Sequence, residues 1–329
     1  MAQSRLLRLA VYSVFALMWL PLAGRAQASG PAGAKEAAES YHSLGMALAD
    51  EGRDDEAVNN LRKAIAVRPD FALAYNDLGY VYYKSRKFEE AVGAYGEAIR
   101  LQGDYALAHN NLGMAYSALG RYEEAAASFR RAIGLRDDYA AAYYNLGATL
   151  YKAGRSRAAV DALKQSIRLK ADGPEAHYNL GVAYSDLGQY AEAVRAFKSA
   201  LTLRPDFAPA HRGLGLASHK LGHNREAIAA YERAVSLGPD DAESFNNLGV
   251  VYADAGLYKE SIAAYREAIR LDPQYYEAHY NLGAAYLSVN RKDAAIKQYA
   301  LLKTAHAGFA DELYRLIYQD QLLILTYQE

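Results

Sequence analysis

Three histidines crowd one short stretch of this chain, His211, His219 and His223, and imidazole is the commonest metal ligand among side chains. His219 and His223 stand four apart, which would place two ligands on one helical face, but Gly222 falls between them and ends a helix there. The group therefore reads as solvated or packing histidine. Gly213-Leu214-Gly215 hints at a phosphate loop, yet it lies inside a helical pattern that no strand precedes. The sequence holds no HExxH, no phosphate loop ending in GKS or GKT, no GxSxG and no calcium loop. It has no cysteine, which excludes disulfides, thiolate metal sites and cysteine nucleophiles. These absences predict a protein that is not an enzyme, with no catalytic residue, no metal, no cofactor and no small-molecule substrate.

One polar pattern does repeat. Asn111, Asn145, Asn179, Asn247 and Asn281 fall in a single phase of 34 residues, with Asp77, Ser43 and Gly213 in the same slot elsewhere. Asparagine is a mediocre helix former, because its amide competes with the backbone, so a phased set needs a reason. An amide carries both donor and acceptor, the pair required to grip a peptide backbone whatever its side chains. The other reading is local: each amide satisfies a nearby backbone group or water. Both stay open on the sequence.

The elements that would position this ladder follow from glycine. Gly45, Gly79, Gly113, Gly147, Gly181, Gly215, Gly249 and Gly283 are each 34 residues apart, although a glycine inside a helix costs roughly 1 kcal/mol relative to alanine. Such a period marks a stack of one small unit. In the unit 174–207, His177, Leu180, Gly181, Tyr184 and Leu187 form an i, i+3, i+4, i+7 stripe. Gly188 ends that helix. A second helix runs through Ala193, Val194, Phe197, Ala200 and Leu203 and stops at Pro205. Glu192 sits in its first turn, where the helix dipole favours it. The turn glycine recurs as Gly52, Gly120, Gly154, Gly188, Gly222 and Gly256, with Arg86 and Asn290 in the two remaining slots. Gly181 is expected to face Ala193 and Ala200, and the aromatics Tyr95, Phe129, Phe197, Tyr231, Tyr265 and Tyr299 to fill the spaces between units. His109, His177 and His279 share a slot with Tyr75 and Tyr143 and read as packing.

Leu-Gly followed by Tyr, Ala, aromatic, Ala and Pro at these spacings resembles the tetratricopeptide repeat, TPR. The resemblance covers eight units over 38–307. It implies an all-α, right-handed superhelical solenoid of helix-turn-helix repeats, with the first helix of each pair lining a concave groove. The asparagine ladder is similar to that in the TPR region of O-linked N-acetylglucosamine transferases, and puts Asp77, Asn111, Asn145, Asn179, Asn247 and Asn281 on the groove wall. Tyr83, Tyr144, Tyr151, Tyr178 and Tyr280 would join them as flat amphipathic contacts. The wall lacks the paired basic residues of TPRs that hold a C-terminal carboxylate. The terminal proline gives way to Gly103, Asp137, Ala171 and Ala307, which puts the turns after the second, third, fourth and eighth repeats in question.

The ends differ from the repeats. Residues 308–329 carry helical periodicity through Phe309, Leu313, Leu316 and Ile317 and are expected to cap the last repeat. The apolar tail at 322–327 makes that helix a candidate for self-association. Residues 1–28, with Arg5 and Arg8, an apolar run from Leu9 to Ala23 and Ala26-Gln27-Ala28, resemble a cleavable export signal, and 29–37 a flexible leader. No membrane span is expected after cleavage. Net charge is −1, which gives no reason to expect nucleic acid as a partner. The resulting expectation is an exported, periplasmic or secreted scaffold that binds extended peptide segments in its groove. Two alternatives remain: an envelope assembly factor working through its outer face or last helix, and an accessory subunit of an enzyme.

Overall fold

A computed structural model describes residues 31–169 and 173–326, with side chains through 318. The expected signal at 1–28, the side chains of the apolar tail at 322–326 and residue 327 lie outside what is described. Among the described residues there are helices and no strands. In chain order they are α1 (Pro31–Asp50), α2 (Asp54–Val67), α3 (Ala72–Lys84), α4 (Phe88–Leu101), α5 (Ala106–Ala118) and α6 (Tyr122–Leu135). Then come α7 (Ala140–Lys152), α8 (Ser156–Arg168), α9 (Pro174–Asp186), α10 (Tyr190–Leu203), α11 (Ala208–Lys220) and α12 (Asn224–Leu237). The last five are α13 (Ala242–Asp254), α14 (Tyr258–Leu271), α15 (Tyr276–Ser288), α16 (Lys292–Ala305) and α17 (Ala307–Thr326). They fall into two compact units, Met1–Asp137 and Asp138–Glu329. The first contains three helix pairs. The second contains five, followed by α17.

The first helix opens at Pro31, so the residues from there to 37 are helical and not the flexible leader the sequence suggests. Alanine and glutamate there favour helix over coil, and Ala38 beyond them is fully buried. At the other end α17 starts at Ala307, after the single residue His306. The missing proline after repeat eight is thus explained: the chain runs straight into its last helix. Gly103, by contrast, supports an ordinary inter-repeat turn. The Tyr105 amide donates to the Gln102 carbonyl at 3.2 Å, as the Phe71 amide does to Arg68 beside Pro69.

Within each pair the tight turn uses one left-handed residue. Six are glycines, and the other two are Arg86 (φ 60°) and Asn290 (φ 59°). The closing hydrogen bond is the same in both cases: Lys87 N–H donates to the Tyr82 carbonyl at 2.8 Å, as Arg121 N–H does to Tyr116 at 2.9 Å. The turn geometry is imposed by the helix pair and is kept even where a side chain makes it cost about 1–2 kcal/mol.

The glycine inside each first helix has a purpose the sequence only half revealed. A Cβ on Gly181 would lie 2.7 Å from Cδ1 of Phe197, so the nearest neighbour is this aromatic ring and not Ala193 or Ala200. Phe197 is buried to 1% exposure. The glycine is a seat, and the large side chain of the second helix occupies it. Tyr95, Phe129, Tyr231 and Tyr265 take the same place in their repeats, and Leu61 and Leu163 in the first and fourth. The sequence expects these aromatics to fill spaces between units, whereas they sit on the glycine of their own repeat; in the eighth repeat Tyr299 does not, and the seat at Gly283 is filled by Leu313 of α17, whose Cδ2 would lie 2.6 Å from an added Cβ. Tyr299 packs instead on Tyr314, with centroids 5.6 Å apart. With Ala310, Leu313 and Ile317 buried, α17 caps the last repeat by supplying its missing knob.

The histidines of the aromatic slot also do more than pack. His109 bonds the Gly103 carbonyl (3.2 Å), His211 that of Pro205 (2.9 Å) and His279 that of Pro273 (3.1 Å), each six residues back. Through Nε2 they pin the turn between repeats.

Two predictions follow from this packing. In Gly147→Leu the new side chain must enter the space of Leu163, whose Cγ lies 2.6 Å and backbone nitrogen 3.2 Å from an added Cβ. Overpacking costs about 1–3 kcal/mol and outweighs the roughly 1 kcal/mol gained in helix propensity, so urea melts should show a net loss. The second concerns acid. Burial pushes His109 and His177 below the ordinary histidine value of 6.5. The unfolded chain then takes up these protons first, so their contribution is complete above pH 6.5 and falls as pH drops below it. His177→Phe, matching Phe245 in the seventh repeat, should reduce the loss of thermal stability between pH 7 and about pH 5.5. An unchanged pH slope would assign that sensitivity elsewhere.

Candidate functional site

The ladder residues are half-buried and turn out to belong to a polar seam between successive first helices. Each seam contact joins a residue to one 35 positions away. In the first unit His42 Nε2 lies 2.7 Å from the Asp77 carboxylate, and the Asn111 amide donates to Oδ1 of Asn76 at 3.1 Å. In the second unit Asn179 donates to the Tyr144 hydroxyl at 3.2 Å, and Asn281 to Oδ1 of Asn246 at 3.1 Å. Asn76 and Asn246 are only 2% and 1% exposed, so their amide oxygens need such a donor. Asn145 also has a polar partner. These bonds tie a first helix to its neighbour through side chains 35 positions apart, a partner different from the nearby backbone group weighed on the sequence.

That bond is small compared with what an amide offers. Asn179 spends one N–H on Tyr144 and no other partner reaches it, so its oxygen and second N–H remain free among the described residues. Asn281 is in the same state. The seam fixes the orientation of an amide whose remaining groups are unused, and fixed groups lose less entropy on forming a bond than mobile ones.

The slot before the ladder, occupied by His42, Asn76, Tyr144 and Asn246, was missed as a functional set. Its trace in the sequence is the Asn-Asn doublets at 110–111 and 246–247. The seam fails at the sixth repeat. Gly213 has no side chain to offer Tyr178, and a Cβ there would lie 2.5 Å from Cζ of Phe197. One repeat on, Arg212 turns to Asp241 and Glu243, at 3.3 and 3.1 Å, and Asn247 is left without a seam partner.

The tyrosines divide. Tyr83 packs against Phe88 at 5.4 Å. Tyr144 is held by Asn179, and burial raises its phenol above the usual range. Tyr280 stacks on Phe309 of α17 at 5.6 Å and is used in the cap. Tyr151 and Tyr178 alone among the predicted tyrosines line a cleft of about 350 Å³, together with Asn247. The charged residues of this wall are mostly paired: Glu175 binds Arg204, and Lys84 binds Asp54.

The structure does not gather the three histidines of the sixth repeat. His211 faces the Pro205 carbonyl, His219 pairs with Asp254 at 2.7 Å, and His223 lies 3.9 Å from Glu226. No group of three potential metal ligands occurs among the described residues.

Comparison with known proteins bears on this architecture. A tetratricopeptide repeat model matches residues 76–141, 214–275 and 247–308, a TPR repeat model matches 45–85 and 150–188, and another tetratricopeptide repeat model matches 174–207. No curated protein matches the chain. Among solved structures, the C-terminal part of a TPR repeat-containing protein from Cytophaga hutchinsonii is 19% identical, covers 73% of this chain and 99% of its own, and superposes with a TM-score of 0.61. YrrB, described as a TPR protein with an unusual peptide-binding site, is 24% identical over 57% of this chain and 96% of its own, with a TM-score of 0.52. Pseudomonas aeruginosa pilF is 18% identical over 64% of this chain and 96% of its own, with a TM-score of 0.54. From the repeat models across 45–308 and the glycine-seated helix pairs, this chain belongs to the tetratricopeptide repeat family.

Proposed function

We propose that this TPR scaffold binds extended protein segments along the first-helix wall of its second unit, with no catalysis of its own. TPR folds are protein–protein interaction scaffolds. One observation carries the finer reading: the seam holds Asn179 by a single N–H and leaves the rest of its amide free and half-exposed. A free donor and acceptor on one rigid group match the alternating donors and acceptors of an extended backbone. Asn145 occupies the equivalent position one repeat earlier.

Export completes the proposal. A basic start, an apolar run and small residues at 26–28 form the pattern a signal peptidase reads, which would deliver a chain starting at Ser29 to the periplasm or the medium. No helix among the described residues is long and apolar enough to cross a membrane. Intact-mass measurement of protein from an exporting host should find Ser29 at the N-terminus, and a chain still carrying Met1 in the membrane fraction would overturn this.

The groove reading is tested by removing the amides. Once crosslinking in the native envelope has named a partner segment, titration calorimetry should show that Asn145→Ala with Asn179→Ala weakens it roughly five- to hundred-fold, at about 0.5–1.5 kcal/mol per lost hydrogen bond. Tyr144→Phe separates the two roles of the ladder. It removes the seam bond to Asn179 but keeps the amide, so affinity should change less than in the alanine pair. Unchanged affinity in a folded double variant would move the binding surface to the outer face or to α17, where Tyr314 and Leu316 are exposed.

A further inference from the structure

Two successive seam contacts are unmade in the second unit, and a cleft opens where they fail. Gly213 replaces a ladder asparagine, so the Tyr178 hydroxyl has no partner. Arg212 is drawn to Asp241 and Glu243, so Asn247 has none either. Ser185 Oγ, on the same cleft, is buried without a hydrogen bond. These are three polar groups around one space of about 350 Å³. Of these only Ser185 Oγ is buried, and a buried polar group left unpaired is uncommon and costly; Tyr178 and Asn247 are half-buried.

The rest of the lining is apolar. Phe197 forms the floor, and its ring fits between Gly181 and Gly213, the two positions where a Cβ would clash with it. Tyr178 packs on Phe197 and Phe207 at 6.0 and 5.1 Å between centroids, which keeps its ring in place. Val182 and Leu216 form further walls, and Leu216 is 40% exposed. The lining also holds Arg212 and Lys220 with Asp186 and Glu243, two groups of each sign, and Arg212 is paired with Glu243, so positive and negative groups balance.

From these features we infer that the cleft is a side-chain pocket for one neutral aromatic residue with a polar edge, tyrosine or tryptophan, carried by the bound segment. The balanced rim selects against a charged side chain, whose desolvation would go uncompensated. The apolar floor and walls take the ring, as an aromatic anchor requires. The unpartnered hydroxyl of Tyr178 and the amide of Asn247 supply hydrogen bonds to the polar edge and the adjoining backbone. Gly213 is then not a defect in the ladder: backbone gripping gives way there to side-chain selection. The inference rests on the peptide-binding reading above and adds the chemistry of its anchor.

The test uses the full chain and a phage-displayed library of random dodecapeptides. Selection should enrich peptides with tyrosine or tryptophan, above phenylalanine, at one fixed place. A synthetic peptide of the selected sequence should lose about ten- to hundred-fold in affinity when that aromatic is changed to alanine. The same peptide change should matter little against Leu216→Glu, an exposed position whose substitution places a charge on the pocket wall. Selected peptides that share no aromatic, and whose binding falls in the Asn145→Ala, Asn179→Ala variant but not in Leu216→Glu, would overturn the pocket and leave the ladder standing. Failure to enrich any peptide would remove both.

Discussion

The close approach of the two helices in each repeat is the constraint on which the rest depends. A glycine in the first helix accepts a ring or branched side chain from the second so tightly that even a methyl group would overlap it, as Gly181 and Phe197 show. Burying such a side chain is worth about 1.5–3 kcal/mol, which more than offsets the roughly 1 kcal/mol helix penalty of the glycine. Everything larger is repetition of this contact. The left-handed turn is held to a fixed geometry because the two helices must meet at that depth. That is why Arg86 and Asn290 adopt a conformation that disfavours them. In the last repeat the seat at Gly283 is filled by Leu313 from α17 in place of a side chain from its own second helix.

The polar seam is a second, weaker system laid along the first helices. Helix pairs stacked by apolar knobs alone would leave the register between neighbouring repeats loosely defined. Where it forms within a unit, a hydrogen bond at a fixed step ties one first helix to the next and uses residues that are nearly fully buried, such as Asn76 and Asn246. One amide can make this bond and still present other groups outward.

Much of this was legible in the sequence. The period, the helix pairs, the turn slots and the existence of a cap follow from glycine and aromatic spacing, because a repeat contacts only its neighbours and each slot has one local environment. The candidate wall was legible as a phased set of asparagines. Three readings changed. Gly181 receives a ring and not a row of alanines, because the large residue one helical turn along points more directly at the gap. Tyr299 yields its seat to Leu313, since repeat eight has a different neighbour from the others. Residues 31 to 37 continue a helix, since alanine and glutamate favour it and Ala38 anchors it.

What the sequence alone determined is the local rule: which residues sit in a first helix, which in a second, and where small must meet large. What only the tertiary structure decided is which polar groups are already taken. Asn179 and Asn247 occupy the same slot and read alike, yet one is tied to Tyr144 and the other is free, because the residue one repeat back is a tyrosine in one case and an arginine drawn to two carboxylates in the other. A bond between positions 35 apart depends on distance and on competing partners in space. Neither is written in the period of the chain.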